Sequence, residues 1–385
     1  MIYLDNNATS LLDSRVAVRM FEMAQQRFAN PSSQHSAGRV ARQIVEDARE
    51  KLMQSVGARV QGMSSDQLLF TSGGTEANNL ALFGLLRSSS GSLCVSSIEH
   101  PSVLIAADYL RQRGRNVVFL KANKDGVVCL DHLRAVLAGS ESQPIDLVSM
   151  MAANNETGVL QPVQAAAELC RQRGVLLHTD AVQVLGKHSL SFQDLNVDAL
   201  TITAHKIHGP IGVGALVIRH GITLQPQLFG GFQQSALRPG TESPLLCDAF
   251  AFAAELVSDV GARSDYMRSL RDDLEIGICE KIPQAVVIGK ESARLPHTLS
   301  ISFPGVDRQA LQLALDMRGI ACSTGSACAS GSSQPSHVLN AMGLAPEIVK
   351  GGVRFSISCE TTNEEVTRAV EIIQLTVRSL LKNHS

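Results

Sequence analysis

A lysine and an aspartate follow two apolar segments near the middle of the chain. The apolar residues 175–177 lead to Asp180, which predicts a buried strand with a carboxylate at its C-terminal end. The next predicted strand, Ala199 to Thr203, leads in the same way to Lys206. Pyridoxal phosphate requires both groups, an amine that holds its aldehyde and an anion that keeps its pyridine nitrogen protonated. A structural ion pair in a loop is the alternative, because such pairs also occur without catalysis.

A glycine turn follows an earlier strand. The sequence LLFTSGGTEANN predicts a strand, a turn at Gly73 and Gly74, and a helix that starts near Thr75. Glycine lets the backbone approach a ligand closely, and the unpaired N–H groups at a helix N-terminus favour a phosphate. An ordinary capped helix is the alternative.

Two further strand ends carry polar side chains that suit a planar ring. His100 follows the strand in SSIEHPSV, where it could stack on a ring and move protons, or simply bond to the backbone of its loop. Asn154, Asn155 and Glu156 follow the strand in MAANNETG. An asparagine can bond a phenolic oxygen without a change of charge, although this sequence would also form a turn.

The C-terminal third contributes a thiol and a guanidinium group. Cys328 lies in the polar, glycine-punctuated segment GIACSTGSACASGSS, which predicts an accessible thiol, whereas Cys94 and Cys322 fall in apolar strands. Arg354 stands at the start of the strand VRFSIS, and its planar fork suits a substrate carboxylate. A surface ion pair is the alternative for this arginine.

Seven short apolar segments between residues 67 and 219 would position these groups. Most are separated by enough residues for a crossover helix, which predicts an α/β fold with a mainly parallel seven-stranded sheet and helices on both faces. Ligands bind such sheets beyond the carboxyl ends of the strands, so we expect the polar groups to share one cleft. The segments are LLFTS, LCVSS, NVVFL, IDLVSM, VLLHT, ALTIT and GALVI.

The pattern changes after about Asp259, where fewer strands mix with helices. Residues 307–317 and 363–381 predict helices. The segments AVVIG, TLSISF, GIACS and VRFSIS predict the strands that accompany them. This mixture indicates a smaller α+β domain.

The length of 385 residues exceeds that at which one core usually stops growing, and 44% of the residues are hydrophobic. We therefore predict a large cofactor-binding domain at residues 15–258. Residues 1–14 and 259–385 are predicted to form a small domain that carries the Cys328 segment. Residues 230–244 are rich in Gly, Pro and Ser and are expected to form a loop.

Charge and cysteine content exclude several classes of function. The 34 basic and 36 acidic residues nearly balance and show no basic stripe, which argues against nucleic acid and favours a small-molecule substrate. The start MIYLDNNATS is not a signal peptide and no apolar run is long enough for a bilayer, so a cytoplasmic protein without a membrane partner is expected. Eight scattered cysteines without a CxxC pair predict reduced thiols and no metal site.

Taken together, these stretches resemble the cysteine desulfurases, which are pyridoxal-phosphate enzymes of the class V aminotransferase group. They resemble most closely the nitrogen-fixation and iron-sulfur-assembly branch, over nearly the whole chain. The matching motifs are YLDNNATS, NPSSQHSAGR, FTSGGTEANN, IEHPSV, NNETG, HTDAVQ, TAHKIHGPIGVGAL, RPGTE, GSAC, PSHVL and VRFS. The resemblance implies the type I fold of pyridoxal-phosphate transferases.

The resemblance also implies roles for residues around the cofactor ring. Lys206 would bond the aldehyde covalently, Asp180 would pair with the pyridine nitrogen, and His100 would stack over the ring. Asn155 and Gln183 would hold the side of the ring that carries the hydroxyl group.

The phosphate and substrate residues are implied in the same way. The phosphate would be bound by Gly74, Thr75, Thr203 and His205, and by Thr241 from a second subunit, so a homodimer is expected. Arg354 would bind the carboxylate of L-cysteine with help from Asn155. Cys328 would accept the sulfur as a persulfide and leave alanine. A sulfur-acceptor or iron-sulfur scaffold protein is the implied partner, in the synthesis of iron-sulfur clusters or a related thio-cofactor.

The sequence departs from the family pattern at a few positions. Gln234 and Ser243 stand where a glutamate and an asparagine are common, Thr203 replaces a serine, and Gln334 replaces a glutamate. Two alternative functions stay open. One is a selenocysteine lyase or another class V aminotransferase-like enzyme, and the other is a non-catalytic partner protein on the same fold.

Overall fold

The structure is a computed structural model that describes residues 1–87, 91–139, 144–325 and 334–382. Within these ranges the strands are β1 (Ile2–Tyr3), β2 (Gln67–Thr71), β3 (Ser92–Ser96), β4 (Val117–Leu120), β5 (Ile145–Ser149), β6 (Leu176–Asp180), β7 (Ala199–Thr203), β8 (Gly214–Ile218), β9 (Val286–Val287), β10 (Thr298–Ser302), β11 (Ile320–Ala321) and β12 (Gly352–Ser356). The α-helices are α1 (Ser14–Gln25), α2 (Ser36–Ser55), α3 (Gly74–Gly84), α4 (Pro101–Gln112), α5 (Leu130–Ala138), α6 (Val163–Arg171), α7 (Phe192–Leu195), α8 (Pro244–Leu256), α9 (Val260–Lys281), α10 (Arg308–Asp316), α11 (His337–Ala341), α12 (Pro346–Lys350) and α13 (Asn363–Lys382).

The strands from β2 to β8 form one sheet in the order β2-β8-β7-β6-β5-β3-β4. Strand β8 runs antiparallel to its neighbours β2 and β7, and every other adjacent pair is parallel. The seven predicted strands are all present, and the mainly parallel α/β fold is confirmed. Because β6 and β7 are parallel neighbours, they bring Asp180 and the segment that leads to Lys206 to the same edge of the sheet.

Both faces of this sheet are covered. Leu68 and Phe70 pack in one apolar core with residues of α2, α6 and α8, whereas Leu69 between them packs in a second core with residues of α3 and α4. Successive side chains of a strand point to opposite faces, so each strand contributes to both cores. Strands that are buried on both sides appear in the sequence as continuous apolar runs, which is why they could be predicted.

The C-terminal part contains a third apolar core between α9, α10, α13 and the antiparallel sheet β12-β10-β9. Strand β1 pairs with β11, so the N-terminal residues also pack here, and Ile2 and Leu4 are part of this core. Val338 of α11 and Val349 of α12 pack in the first core instead. The residue bounds given above for the two domains stay a prediction.

Gln234 completes the hydrogen bonding at the outer edge of β2. Its Nε2 donates to the carbonyl of Phe70 at 2.9 Å, and its Oε1 accepts from the N–H of Phe70 at 2.6 Å. The side-chain amide therefore takes the place of a peptide group of a further strand. It provides partners for the N–H and the carbonyl of Phe70, which would otherwise be unpaired at this edge. A glutamine can do this because it carries a donor and an acceptor, whereas an ionised glutamate only accepts.

No helix in the described part of the chain has both the length and the apolar composition that a bilayer crossing needs. The seven cysteines within the described ranges are free thiols.

Candidate active site

A cavity of about 430 Å³ lies beyond the carboxyl ends of the parallel strands, where the C-terminal part of the chain meets the large sheet. Ten of the twelve residues to which the sequence assigns a role line it. They are Gly74, Thr75, His100, Asn155, Asp180, Gln183, Thr203, His205, Lys206 and Arg354. The expectation of one shared cleft is therefore met for these ten.

Lys206 ends a short 3-10 turn that follows β7 directly. Its Nζ donates to the backbone carbonyls of Asn7 at 2.5 Å and Ala8 at 2.6 Å. Both carbonyls belong to the N-terminal segment that passes from β1 to the cavity. The amine is thus held at the cavity wall by backbone acceptors that a ligand can replace.

Asp180 is the last residue of β6 and is buried. Its Oδ2 accepts a hydrogen bond from Nδ2 of Asn78 at 2.7 Å, and its Oδ1 accepts one from the backbone N–H of Val182 at 3.0 Å. Both bonds stabilise the ionised carboxylate and fix its orientation. The same Nδ2 of Asn78 donates to Oγ of Ser102 at 2.9 Å, so Asn78 connects Asp180 to the start of α4.

His100 is the N-cap of α4, and its ring lines the cavity. Nδ1 accepts from the backbone N–H of Ser102 at 3.1 Å and lies 2.8 Å from the Ser102 hydroxyl. The neutral ring therefore carries its proton on Nε2. Burial lowers the pKa of His100, against the opposing effect of the Asp180 charge. A neutral imidazole results, which suits stacking on an aromatic ring.

The phosphate candidates surround the N-terminus of α3. Gly73 precedes this helix and provides no side-chain cap, so the first N–H groups of the helix face the cavity at Gly74 and Thr75. Thr203 is buried and donates its hydroxyl to the carbonyl of Val213 at 3.1 Å. Burial beside Lys206 lowers the pKa of His205 to about 4, so this ring is a neutral hydrogen-bonding group rather than a cation.

Arg354 is buried in β12, which excludes the surface ion pair as an explanation for it. Its Nη1 donates to the carbonyl of Asn155 at 2.9 Å and its Nη2 to Oδ1 of Asp5 at 2.8 Å. Within the described residues, neither Nε of Arg354 nor Oδ1 of Asn155 has a hydrogen-bond partner, although both atoms are buried. Buried polar atoms without partners are uncommon, so this pair indicates a polar ligand.

The two neighbouring asparagines of NNETG have different positions. Asn154 points away from the cavity, because its Nδ2 donates to the carbonyl of Ile98 and its Oδ1 accepts from the N–H groups of Glu156 and Thr157. Asn154 therefore builds the turn, and Asn155 lines the cavity. The turn interpretation is correct for Asn154, and the bond of Asn155 to a ring oxygen stays a prediction.

Two predicted site residues are not placed in the cavity. Thr241 is exposed and does not line the cavity of its own chain. Cys328 lies outside the described residues. Gly325 and Gln334, which flank residues 326–333, both line the cavity.

Sequence reasoning missed several residues of the site. Asn7 accepts from Lys206 through its carbonyl, and its side chain donates to Thr298 and to the carbonyl of Asn155. Glu156 is a buried carboxyl whose Oε2 accepts from the Ser336 hydroxyl at 2.5 Å. Burial raises the pKa of Glu156. Asn7 and Glu156 occur in the motifs YLDNNATS and NNETG, but nothing in the sequence distinguishes them from the polar residues beside them.

Within the described ranges, no group of three or more His, Cys, Asp or Glu side chains could hold a metal ion.

Comparisons with known proteins place this arrangement in a family. The sequence profile of the family Aminotransferase class-V matches residues 2–369. A cysteine desulfurase of Sinorhizobium fredii is 39% identical over 383 residues, which are 98% of this chain and 97% of that protein. The cysteine desulfurase NifS of Azotobacter vinelandii is 37% identical over 98% of this chain and 93% of its own length. The X-ray structure of a NifS-like protein from Rickettsia africae superposes with a TM-score of 0.89 at 31% identity, over 98% of this chain and 99% of that one.

These matches extend over nearly the whole length of the chain and confirm the resemblance inferred from the motifs. They agree with a site that combines an amine, a carboxylate and a guanidinium group in one cavity. The chain belongs to the class V aminotransferase family and, within it, to the cysteine desulfurases, which are pyridoxal-phosphate-dependent enzymes.

Proposed function

We propose that this cysteine desulfurase converts L-cysteine into L-alanine and a persulfide on Cys328, and that it supplies this sulfur for iron-sulfur clusters or a related thio-cofactor. The observation that carries the proposal is the placement of Lys206 and Arg354 in one cavity, an amine for the cofactor and a guanidinium for the substrate carboxylate. The similarity to the cysteine desulfurase NifS of Azotobacter vinelandii supports the desulfurase activity.

Pyridoxal phosphate fits the residues of the cavity. The buried atoms Asn155 Oδ1 and Arg354 Nε have no partner within the described part of the chain, which is what a site for a polar ligand requires. A Cβ atom at Gly74 would lie 3.1 Å from the Val182 side chain, so a glycine fits this crowded position at the N-terminus of α3, where helix N–H groups favour a phosphate. The carboxylate of Asp180 provides the anion for a protonated pyridine nitrogen.

Each residue then has a task. Lys206 would bond the cofactor covalently, and Asp180 would pair with its ring nitrogen. His100 would stack on the face of the ring, and Asn155 and Gln183 would bind the side that carries the hydroxyl group. The phosphate would be held by Gly74, Thr75, Thr203, His205 and Thr241 of a second subunit. When bound, pyridoxal phosphate withdraws electrons from the Cα atom of an attached amino acid.

The residues of the chain supply binding and proton transfer. Arg354 binds the substrate carboxylate, as its planar fork and its buried position favour. The Lys206 amine removes the proton from Cα, and Nε2 of His100 relays protons beside it. The Cys328 thiolate attacks the sulfur of L-cysteine, so that an S–S bond forms while the Cβ–S bond breaks. The electron pair of the broken bond stays with the carbon fragment, which takes up a proton and leaves as L-alanine, and the persulfide remains on Cys328. A thiol that must be restored after each turnover suits the reducing cytoplasm.

A homodimer would complete the phosphate site. Thr241 is exposed and does not line the cavity of its own chain, which supports a role at the phosphate of a neighbouring subunit. Large exposed apolar side chains lie nearby in sequence, with Phe229 at 89% and Phe232 at 93% exposure. Exposed apolar patches of this kind favour contact with a second protein surface. Sedimentation should therefore give a dimer, and an active monomer would contradict this part of the proposal.

The proposed function is tested with purified protein, L-cysteine and a reductant. Alanine and sulfide should form in equal amounts, and Cys328→Ala should abolish both. Cys279→Ser in helix α9, far along the chain from the site residues, is the matched control and should keep full activity. Alanine production that survives Cys328→Ala would favour a lyase or aminotransferase that does not use this thiol.

Mass spectrometry of the persulfide, followed by transfer trials with candidate scaffold proteins, identifies the acceptor.

A further inference from the structure

A second lysine lies buried behind the cavity. Lys187 follows β6 in a tight turn, and its side chain is 7% exposed. Its Nζ lies 3.3 Å from Oε1 of Gln183, which is the hydrogen-bond acceptor that the described residues offer it. Among the described residues, the charged groups that act on this amine are other cations and include no carboxylate, although a buried lysine is normally paired with one. The proposed reaction gives this buried amine no task.

Gln183 connects Lys187 to the amine that would hold the cofactor. The Nε2 of Gln183 donates to the carbonyl of Asn7 at 3.0 Å, and the same carbonyl accepts from Nζ of Lys206 at 2.5 Å. The two lysines are therefore joined through one side-chain amide and one backbone carbonyl. A change at Lys187 can reach Lys206 through these two contacts.

Lys187 and the carbonyl of Asn7 together orient the Gln183 amide. In this structure the Lys187 amine donates to the amide oxygen, and its charged form can only donate, so the charged form holds the oxygen toward Lys187 and the nitrogen toward Asn7 and the cavity. An N–H group in that place can donate to the ring oxygen of the cofactor, whereas an amide oxygen would repel it. The carbonyl of Asn7, which can only accept, favours the same orientation, and without Lys187 it would be the one contact within the described residues that holds it.

The charges around Lys187 are mostly positive or neutral. Burial, together with the nearby charges of Lys206, Arg354 and Arg263, lowers the pKa of Lys187 to about 7. The titratable and charged groups that face it are Lys206, Arg263, Arg354, His205, His208 and His297. Burial lowers the pKa of each of the three histidines, so they do not neutralise the lysines. Two like charges close together favour the neutral amine on both.

We propose that Lys187 is a positioning residue for the desulfurase reaction, which orients the Gln183 amide toward the cofactor and favours, by its own charge, the neutral form of the Lys206 amine. This inference rests on the proposed function, in which Lys206 holds the cofactor and acts as a base. Lys187 does not touch the substrate, and it acts through Gln183 and through its charge.

The test uses the holoenzyme and the substitutions Lys187→Met, Lys187→Gln and Lys187→Arg. The first readout is the pH dependence of the visible absorption, which reports protonation at the Lys206 nitrogen and needs no turnover. Lys187→Met removes both the donor and the charge, and should raise the midpoint of this titration by about half a pH unit or more. Lys187→Arg keeps the hydrogen-bond donor and the positive charge, so the midpoint of its titration should lie close to that of the wild type.

Lys187→Gln separates the two effects. It removes the charge but keeps a donor for Gln183, so the midpoint should rise while the affinity for pyridoxal phosphate stays close to wild type. In Lys187→Met the dissociation constant of the cofactor should increase about fivefold or more, as expected for a misoriented hydrogen-bonding group. Lys124→Met, an exposed lysine, is the matched control and should leave both measurements unchanged.

An unchanged absorption midpoint and an unchanged cofactor affinity in a folded Lys187→Met protein would overturn the proposal. If that variant does not fold, the same two measurements on Lys187→Gln decide the question. Absence of alanine formation by the wild-type enzyme would instead contradict the proposed function. The two failures are distinguishable, because the absorption titration does not depend on turnover.

Discussion

The carboxylate of Asp5 lies 2.8 Å from Nη2 of Arg354, across a separation of 349 residues in the chain. The arginine side chain is 3% exposed and the aspartate side chain 20%. Asp5 follows β1 and forms a bridge with Ser356 at the end of β12, so the ion pair joins the N-terminal segment to the strand that carries the arginine. The pair orients the guanidinium and leaves its Nε for a ligand.

Replacement of Asp5 should weaken substrate binding more than it slows the reaction. We expect Asp5→Asn to raise KM for L-cysteine about tenfold, because a buried guanidinium loses its charged partner and its fixed orientation, and to change kcat less than about threefold. Steady-state kinetics check this split. Asp13→Asn removes another aspartate-arginine pair, that of Asp13 with the exposed Arg15, and should leave KM unchanged. Equal losses in kcat and kcat/KM would instead place Asp5 in the chemical step.

Asn78 is predicted to control how tightly the cofactor binds. Asn78→Leu removes the side-chain donor to Asp180 and to Ser102, so the carboxylate loses a bond that stabilises its charge. The dissociation constant for pyridoxal phosphate should increase about tenfold, as for the loss of one hydrogen bond to a charged group. Reconstitution of the apoprotein, followed by visible absorption, measures this constant. A well-folded variant with wild-type affinity would contradict the importance of the Asn78 bond.

Glu99 should make the stability of the protein depend on pH. Burial raises the pKa of Glu99 to about 8, although Ser96 and the N–H of Met151 donate to its carboxyl group. The folded protein therefore holds a proton on Glu99 that the unfolded chain releases near pH 4.5. The proton on Glu99 therefore stabilises the folded protein fully below pH 4.5, and this contribution is lost as the pH rises from there through 8. Between these two pH values the free energy of unfolding falls by up to about 1.4 kcal/mol per pH unit.

The substitution Glu99→Gln tests this linkage. Glutamine keeps the shape of the protonated carboxyl group and does not titrate, so the variant should lose less stability than wild type between pH 5 and 8. Urea unfolding at several pH values measures the difference between the two proteins. Lys187 contributes a dependence of the opposite sign in both proteins, because its pKa is lowered on folding, and this contribution cancels in the difference. Parallel pH profiles would mean that Glu99 is ionised in the folded state.

Gln234 is predicted to stabilise the edge of the large sheet. Gln234→Ala leaves the backbone N–H and carbonyl of Phe70 without their partners, and should lower the free energy of unfolding by about 1–3 kcal/mol. Gln233→Ala at the neighbouring position removes only longer bonds, of 3.3 Å to Gly240 and 3.4 Å to Ser32, and is the matched control. Chemical denaturation measures both. A loss of equal size in the two variants would show that the loop as a whole matters and not the contact with Phe70.

The large sheet could be predicted from the sequence because its strands are buried on both faces. Each strand then carries a mostly apolar run, and polar side chains such as Asp180 and His100 stand at or beyond its C-terminal end. Parallel strands bring their carboxyl ends to one edge, so residues such as Asp180 and Lys206 could be expected in one cleft before their positions were known. Family motifs added the roles of these residues.

Tertiary structure alone decided the contacts between segments that lie far apart in the chain. Arg354 bonds to Asp5, and Lys206 to the carbonyl of Asn7, across 349 and 199 residues. Local sequence patterns report the periodicity and the ends of single elements, and they contain no information about which distant backbone carbonyl an amine will meet. The separate roles of Asn154 and Asn155, and the contact of Lys187 with Gln183, depend in the same way on how the segments pack. The sequence by itself thus determined the elements and the chemical groups, and packing decided which of those groups act together.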